Sequence, residues 1–177
     1  MQQEFDYIII GGGSAGCVLA SRLSEDPNIS VCLLEAGGQG NAWTVNIPAA
    51  CVMSLPTKIN NWAFETVPQK GLNGRKGYQP RGKCLGGSSA INAMIYIRGN
   101  RADYDDWAAQ GCTGWSYDEV LPYFIRSENN HRIQNEYHGN AGPLHVSDVQ
   151  TDSIFHERYL QAAREQGYPV LDDFNGA

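Results

Sequence analysis

The chain has 177 residues, of which 42% are hydrophobic, and this is enough to form one ordinary domain with a core of its own. Its formal net charge of -6 argues against the basic surface that nucleic acid or an anionic membrane would require. The five cysteines are scattered without C-x-x-C spacing, which argues against a disulfide framework or a metal site.

The first residues, Met1 to Glu4, contain no basic region. The apolar run that follows them is far too short for a secretory signal or a membrane span. We therefore expect a cytoplasmic protein without a transmembrane segment.

A glycine-rich turn between a predicted strand and a predicted helix is the first informative motif. The strand covers Tyr7–Ile10, the helix covers Ser14–Leu23, and the turn reads GGGSAG. In a dinucleotide-binding turn, the first glycine permits the tight turn, the second lets the backbone approach the pyrophosphate, and the third lets helix and strand pack closely. Gly11, Gly13 and Gly16 hold these positions. The N–H groups and the dipole of the helix N-terminus would then face the phosphates.

An acidic residue follows at the spacing that a ribose-binding carboxylate requires. A second strand is predicted over Ser30–Leu34, and Glu35 lies about 20 residues beyond Gly16. A carboxylate there accepts hydrogen bonds from a ribose diol and repels a 2′-phosphate, which favours FAD or NAD over NADP. Alone, the turn would also fit a protein that binds nothing, and Glu35 would fit an exposed strand end.

The segment after Glu35 is predicted to be largely irregular. We expect a loop over Ala36–Asn46 and a short helix over Ile47–Leu55 that begins near Pro48. Apolar and polar residues alternate over Ile59–Val67, which predicts a short strand.

The next predicted helix contains a proline. Ser116 and Glu119 have the spacing of a capping box for a helix over Tyr117–Ser127, and Pro122 is expected to break or restart that helix. A strand is predicted over Leu144–Val146.

A last helix is predicted to begin at Asp152 as its cap and to stop at Gly167 and Pro169. Its apolar residues are expected to share one face, and they are Phe155, Tyr159, Ala162 and Ala163.

A second glycine-rich stretch, from Pro80 to Gly99, reads PRGKCLGGSSAINAMIYIRG. The run Gly86–Ser89 offers small side chains, amides and hydroxyls that can line a phosphate or ribityl chain without steric conflict. Asn92 follows one turn later if the segment is helical, and it offers both a donor and an acceptor. The structural alternatives are that Ser89 caps a helix and Asn92 caps a turn.

These segments together resemble the glucose-methanol-choline oxidoreductases, flavoenzymes that oxidise alcohols, and in particular their choline-dehydrogenase and alkyl-alcohol-dehydrogenase branch. The resemblance covers essentially the whole chain. The segments that carry it are GGGSAGCVLASRLSED, LLEAG, NNWAFETVPQ, PRGKCLGGSSAINAMIYIRGN, DYDDWA, WSYDEVLPYF and DFNG.

The resemblance implies FAD as the cofactor, held along its whole length by both glycine-rich stretches. It places adenosine contacts near the first stretch, flavin contacts near the second, and an aromatic residue, Trp62, close to the cofactor, although Trp62 would also fit a core position. The predicted cofactor-binding residues are Gly11, Gly13, Ser14, Ala15, Gly16, Glu35, Ala36, Trp62, Gly82, Gly87, Ser88, Asn92, Ala93 and Ile95.

One departure from the family pattern bears on how FAD is attached. Some relatives attach FAD covalently through a histidine just before the asparagine of the second motif, and this chain has Ile91 there. Because isoleucine has no nucleophilic atom, we predict non-covalent FAD.

The family's catalytic base is a histidine in a segment resembling H-P-x-G-T, and no such segment occurs in this sequence. The four histidines are predicted to be surface or packing residues, and they are His131, His138, His145 and His156. We therefore predict no catalytic residue in the chain, and we expect no alcohol turnover from these 177 residues alone.

The expected fold is α/β: part of a Rossmann-like FAD-binding domain that starts with βαβ and continues with irregular α and β segments, truncated relative to the family. Residues 1–177 would be the N-terminal part of that domain, with the substrate domain starting within 140–177. The implied partners are a small-molecule alcohol and an electron acceptor, either oxygen or a quinone-linked carrier.

Two alternatives remain open from the sequence. The chain could be a non-catalytic nucleotide-binding or assembly module, which the missing base favours. It could also belong to an NAD-dependent dehydrogenase, which would not need the second glycine-rich stretch.

Overall fold

The computed structural model describes residues 4–176 and divides into two compact units, Met1–Ile95 and Tyr96–Ala177. The expectations drawn from Met1 to Gln3 and from Ala177 lie outside the described residues. Within the described part, no helix is both long enough and apolar enough to cross a membrane. The prediction that a substrate domain starts within 140–177 stays a prediction.

The first unit starts with the predicted βαβ motif. Strand β1 (Tyr7–Ile10) and strand β2 (Val31–Leu34) pair in parallel, and helix α1 (Ser14–Leu23) connects them. Tyr7 pairs with Val31 and Ile10 with Leu34, so the carboxyl ends of both strands meet at the same edge of the sheet. The parallel βαβ arrangement confirms the α/β expectation. In folds of this kind, nucleotides bind at the edge where the carboxyl ends of the strands meet.

The rest of the first unit consists of short elements and turns. Helices α2 and α3 follow β2, and an antiparallel pair, β3 with β4, precedes the second glycine-rich stretch. The bounds are α2 Trp43–Asn46, α3 Cys51–Ser54, β3 Phe64–Glu65 and β4 Tyr78–Gln79, with 3-10 helices at Pro48–Ala50, Lys70–Leu72 and Gly87–Ala90.

Two predicted segments of this unit differ from the structure. The predicted loop Ala36–Asn46 ends in the helical turn α2, in which Thr44 is buried and supplies a packing contact that the loop-like composition concealed. The predicted strand Ile59–Val67 is reduced to β3, because Asn60 and Ala63 take positive φ angles of 51° and 50° that interrupt an extended chain.

Over residues 96–176, the second unit contains three helices and one parallel pair of strands. Strands β5 and β6 pair with Glu128 opposite Leu144 and Asn130 opposite Val146, as the prediction for Leu144–Val146 required. The bounds are α4 Arg101–Ala109, α5 Tyr117–Ser127, β5 Glu128–Asn130, β6 Leu144–Val146 and α6 Ile154–Glu165.

Helix α5 is continuous, so the prediction of a break at Pro122 was wrong. The predicted capping box forms, since Glu119 Oε2 accepts hydrogen bonds from the backbone N–H of Ser116 at 3.0 Å and from its hydroxyl at 2.6 Å. Pro122 lies in the second turn of the helix and removes only one ladder hydrogen bond, the one to the carbonyl of Asp118. The capping box stabilises the N-terminus of the helix, so the helix continues despite the loss of this hydrogen bond.

Helix α6 begins one residue later than predicted. Ser153, rather than Asp152, is its N-cap residue, and no side chain caps it. Gly167 follows the helix with a φ of 80°, as expected for a helix stop. The predicted apolar face is largely exposed within the described chain, with Phe155 82% and Tyr159 76% accessible.

Four ionisable side chains, Arg98, Glu128, His138 and Asp173, interact in the interior of the second unit. Glu128 is fully buried. Its Oε2 accepts a hydrogen bond from Arg98 Nη2 at 2.7 Å, and its Oε1 lies 3.0 Å from His138 Nδ1. The other ring nitrogen of His138 lies 2.9 Å from Asp173 Oδ2. The sequence predicted surface or packing roles for the four histidines. His138 is the buried case, and it connects two carboxylates.

The segment after Asp173 is tied to the same network. Asn175 Oδ1 accepts the Arg98 N–H at 2.8 Å, and Asn175 Nδ2 donates to the Tyr96 carbonyl at 3.2 Å. The DFNG motif is thus bound to the start of the unit through Asn175 and to His138 through Asp173.

Candidate functional site

The first glycine-rich turn leaves open space in front of a helix N-terminus. Gly11 takes a φ of 99° and donates its N–H to the Leu34 carbonyl at 2.7 Å. Gly13 is the N-cap of α1, and a Cβ added to it would have no heavy atom within 4 Å. No side chain caps α1, so the amides of its first turn, at Ser14 and Ala15, face outward from the turn.

The third glycine of the motif is required by packing. A Cβ at Gly16 would lie 1.9 Å from the carbonyl oxygen of Gly11, and Gly16 is the one residue of α1 that is buried. No side chain fits there without moving the helix away from the turn. The packing role that the spacing assigned to Gly16 therefore matches its surroundings.

Glu35 lies at the expected end of β2, and it has a structural role that sequence reasoning missed. Its Oε2 accepts the N–H of Gly12 at 2.7 Å, and its Oε1 accepts the N–H of Gly37 at 2.8 Å. The carboxylate thereby joins the glycine-rich turn to the loop after β2. A carboxylate offers about four acceptor positions, so two of these remain for a ribose diol.

The two glycine-rich stretches contact each other directly. Gly86 donates its N–H to the Gly12 carbonyl at 2.7 Å. A Cβ on Gly87 would lie 2.7 Å from the Cα of Gly13, and Gly87 has a φ of 56°. Both observations require glycine at position 87. The structure therefore brings together the two motifs that the sequence separates by about seventy residues.

The second stretch is folded tightly on itself. A Cβ on Gly82 would lie 2.0 Å from the carbonyl oxygen of Gly87, and the Gly82 N–H donates to Ser88 Oγ at 3.1 Å. Cys84, between them, is fully buried. Burial raises the pKa of the Cys84 thiol, and the negative charge of Glu35 raises it further, so the thiol stays neutral beside that carboxylate.

Trp62 lies beside the second stretch. The backbone N–H of Trp62 donates to the Arg81 carbonyl at 2.8 Å, and Lys83 Nζ lies 4.2 Å from the centre of the Trp62 ring. The ring stacks on Phe64 with centroids 5.6 Å apart and is 41% exposed. The exposed part of the Trp62 ring and the cation beside it form a surface that an anionic ligand can contact.

The last predicted residues lie outside this contact. Asn92 follows the 3-10 helix Gly87–Ala90 and lies in a bend, so the helical condition attached to this residue is not met. Its Oδ1 accepts the N–H of Met94, which has a φ of 58°. Ala93 and Ile95 are exposed, and within residues 4–176 no hydrogen bond joins the Asn92 side chain to the first stretch.

Sequence reasoning missed the glycines that follow Glu35. A Cβ on Gly37 would lie 1.9 Å from the Lys83 carbonyl oxygen, and the Leu85 N–H donates to Gly38 at 2.8 Å. The pair of glycines directly after LLEA was the available signal. Ala36, which the prediction included, is an exposed residue between Glu35 and this contact.

Together these residues form a cradle of backbone amides, small side chains and one carboxylate around Gly13 and Gly87. Such a cradle can hold an anionic group against the uncapped helix N-terminus, because the helix dipole and free N–H groups favour negative charge there. Eight of the predicted residues lie in the segments 11–16 and 82–88 that form this cradle: Gly11, Gly13, Ser14, Ala15, Gly16, Gly82, Gly87 and Ser88. Glu35 is joined to the first of these segments by its hydrogen bond from Gly12.

The sequence and the fold of this chain are similar to those of known oxidoreductases. A mouse (Mus musculus) mitochondrial choline dehydrogenase is 46% identical over 182 residues, which cover 99% of this chain and 30% of that protein. Pyridoxine 4-oxidase from Mesorbium loti superposes with a TM-score of 0.87 at 36% identity, over 97% of this chain and 34% of that one. An FAD-dependent oxidoreductase from Chaetomium thermophilum superposes with a TM-score of 0.84 at 32% identity, over 98% of this chain and 31% of that one.

The chain thus spans about a third of the length of the relatives that it matches. A family model described as GMC oxidoreductase matches residues 5–177. The resemblance drawn from the motifs is confirmed, and the chain belongs to the GMC oxidoreductase family.

Proposed function

We propose that the chain supplies FAD-binding segments of an enzyme that oxidises a small alcohol. The observation that carries the proposal is the contact between Gly13 and Gly87, which makes one cradle of two glycine-rich stretches. A single strand-turn-helix motif would suffice for a mononucleotide half, whereas a long dinucleotide needs contacts beyond that turn.

The residues of the cradle fit the diphosphate of FAD. Open space lies in front of Gly13, at the N-terminus of α1, and no side chain competes for the first-turn amides in the described chain. We assign the diphosphate to Gly13, Ser14 and Ala15, and the ribose of the adenosine half to Glu35 with its neighbour Ala36. The remaining acceptor positions of the Glu35 carboxylate suit a ribose diol.

The flavin half is assigned to the second stretch. Gly87 and Ser88 would line the path of the ribityl chain, and the segment with Asn92, Ala93 and Ile95 would lie beside the ring system. Trp62 would border the same region with its exposed part. When bound, FAD supplies the hydride acceptor for oxidation of an alcohol carbon.

FAD is proposed to bind without a covalent bond at the position before Asn92. Ile91 occupies that position, is 3% exposed, and carries no nucleophile. Acid denaturation of the loaded protein tests this point. All flavin should pass into the supernatant, whereas flavin that stays with the precipitated polypeptide would contradict it.

The proton-accepting base of the reaction is proposed to lie outside this chain. All four histidines belong to the second unit, and His138 is already engaged by two carboxylates. The 177 residues should therefore bind FAD and fail to oxidise a primary alcohol with an artificial electron acceptor. Robust turnover by the isolated chain would overturn this assignment.

The cofactor itself is tested by titration. Binding of FAD should quench flavin fluorescence and saturate, and NAD at the same concentration should not displace FAD. Displacement by NAD, or no binding of FAD at any concentration, would contradict the proposal. FAD binding without turnover is expected of the isolated chain under both hypotheses. The non-catalytic module would be favoured if alcohol oxidation were still absent after the remaining segments of a GMC oxidoreductase were supplied.

A further inference from the structure

Two exposed histidines of the second unit meet at the β5–β6 pair. Asn129 lies opposite His145 in the strand register, and His131 follows β5 directly, with its N–H on the Val146 carbonyl at 3.0 Å. His131 Nε2 lies 3.2 Å from His145 Nδ1. The side-chain amide of Asn129 lies 3.3 Å from the same nitrogen. Two imidazole rings and one side-chain amide therefore meet at one place on the surface.

We propose that His131 and His145, assisted by Asn129, form a binding site for a divalent late transition metal, of which Cu²⁺ would bind most tightly. Imidazole nitrogens are the preferred protein ligands of Cu²⁺, Ni²⁺ and Zn²⁺, and affinity for such a site rises toward Cu²⁺. The function proposed for the cradle does not involve these residues.

The distance between the two ring nitrogens suits a shared metal ion. Imidazole nitrogens lie about 2.0–2.1 Å from such a metal, so two of them separated by 3.2 Å subtend an angle of about 100° at the ion. This angle lies between the values for octahedral and tetrahedral coordination. Backbone pairing of β5 with β6 fixes the positions from which both rings project.

Metal binding requires a modest rearrangement of the rings. They now stand edge to face at 86°, with centroids 5.5 Å apart, which is the geometry of a shared N–H···N hydrogen bond. A metal replaces that proton and needs both lone pairs to turn toward one point. Both side chains are exposed, so a rotation about their side-chain bonds meets little steric resistance.

Asn129 adds an oxygen ligand. Amide oxygen and nitrogen exchange places by a half-turn of the side chain, and the metal would select the orientation that presents Oδ1. The neighbouring cation, Arg132, is neutralised by Asp148 at 2.7 Å, so its repulsion of a second cation is reduced.

The proposed site is open rather than closed. Within the described chain, no three side chains of His, Cys, Asp or Glu converge as a metal cluster, so two imidazoles and one amide leave positions for water. Binding should accordingly be weaker and more readily reversible than at a four-ligand structural site.

The test is a Cu²⁺ titration of the full 177-residue chain in a Cys112→Ser background, because the exposed thiol of Cys112 would itself bind copper. Calorimetry should give one site per chain, and the EPR spectrum should show splitting from two nitrogen ligands. His131→Gln and His145→Gln should each weaken binding at least about tenfold. His156→Gln, which removes an exposed histidine of α6, is the matched control and should bind as tightly as its parent.

Absence of copper binding, or unchanged affinity in His131→Gln or His145→Gln, would overturn the proposal. Circular dichroism verifies that each variant is folded. A second measurement needs no variant: in ¹⁵N spectra of the parent chain, Zn²⁺ should shift His131 Nε2 and His145 Nδ1 together. A shift of one of these nitrogens alone, or of neither, would also overturn it.

Discussion

Gly87 approaches Gly13 so closely that a Cβ on Gly87 would lie 2.7 Å from the Cα of Gly13. This contact joins two motifs that occur far apart in the sequence. It places the second glycine-rich stretch against the turn whose helix N-terminus can receive a diphosphate. The proposed cofactor site depends on this contact more than on any single hydrogen bond.

Gly87→Ala should separate the two stretches. The new methyl group would collide with backbone rather than with a flexible side chain, and alanine is strained at the φ of 56°. We expect FAD to bind at least about tenfold more weakly and the free energy of unfolding to fall by about 1–3 kcal/mol. Fluorescence titration and urea denaturation measure the two effects.

Gly71→Ala is the matched control for this variant. A Cβ at Gly71 would have no heavy atom within 4 Å, and the residue lies in the short 3-10 helix Lys70–Leu72. This variant should bind FAD like the unmodified chain. If both alanine variants behave alike, the close approach of Gly87 to Gly13 does not determine FAD binding.

Glu35→Ala should weaken the turn even before FAD is added. The variant removes the acceptors of the Gly12 and Gly37 N–H groups, and Gly12 is buried. A buried N–H without a partner costs about 1–3 kcal/mol. Chemical denaturation should show a loss of this size, together with weaker FAD binding.

Glu65→Ala serves as the comparison, because Glu65 is 59% exposed in a long ion pair with Lys76. We expect a change in unfolding free energy within about 0.5 kcal/mol for this variant. A Glu35→Ala chain as stable as Glu65→Ala would show that the carboxylate does not support the turn.

The sequence predicted the βαβ start, the turn and the capping box at Ser116 and Glu119, because each is specified by local spacing. It did not reveal that Gly86 and Gly87 lie on Gly12 and Gly13, since a contact across seventy residues leaves no local pattern. The positive φ angles of Asn60 and Ala63 were hidden for a related reason: only the surrounding structure imposes them. The role of the second glycine-rich stretch in holding FAD was inferred from the resemblance to a family.

The buried network of the second unit escaped sequence reasoning altogether. His138, Glu128 and Asp173 occur in unremarkable polar contexts, and their burial follows from tertiary packing. A charged residue is rarely fully buried without a partner. Four mutually compensating groups can be recognised as such only once they are seen together.

The stability of the chain should fall in acid because of this network. Burial raises the pKa of Glu128, but hydrogen bonds from Asn130, His138 and the Gly139 N–H outweigh it and hold that pKa below its ordinary value of 4.5. Burial likewise raises the pKa of Asp173, and the Asn175 N–H and His138 bring it below 3.8.

Because both folded-state pKa values are lowered, the stabilisation is fully present above the ordinary values and is lost as the pH falls through the folded ones. The free energy of unfolding should therefore be level above about pH 5 and decline below about pH 4. Urea denaturation between pH 2 and pH 7 measures this dependence. A level profile down to pH 3 would contradict the role given to the network.

Removal of the central carboxylate should be severe at neutral pH. Glu128→Gln leaves Arg98 and His138 buried without their anion, and breaking a buried pair in this way costs about 3–5 kcal/mol. Asp173→Asn alters one partly exposed partner and should cost less. Glu136→Gln, an exposed carboxylate of the same unit, is the control and should leave thermal unfolding unchanged.

Amide hydrogen exchange with and without saturating FAD tests the central claim most directly, because it reports on both glycine-rich stretches in one experiment. FAD should slow exchange in Gly11–Gly16 and in Gly86–Ser89 together, and leave Lys70–Leu72 unchanged. Protection of the first stretch alone, or of neither stretch, would contradict the account of a single cradle built from both.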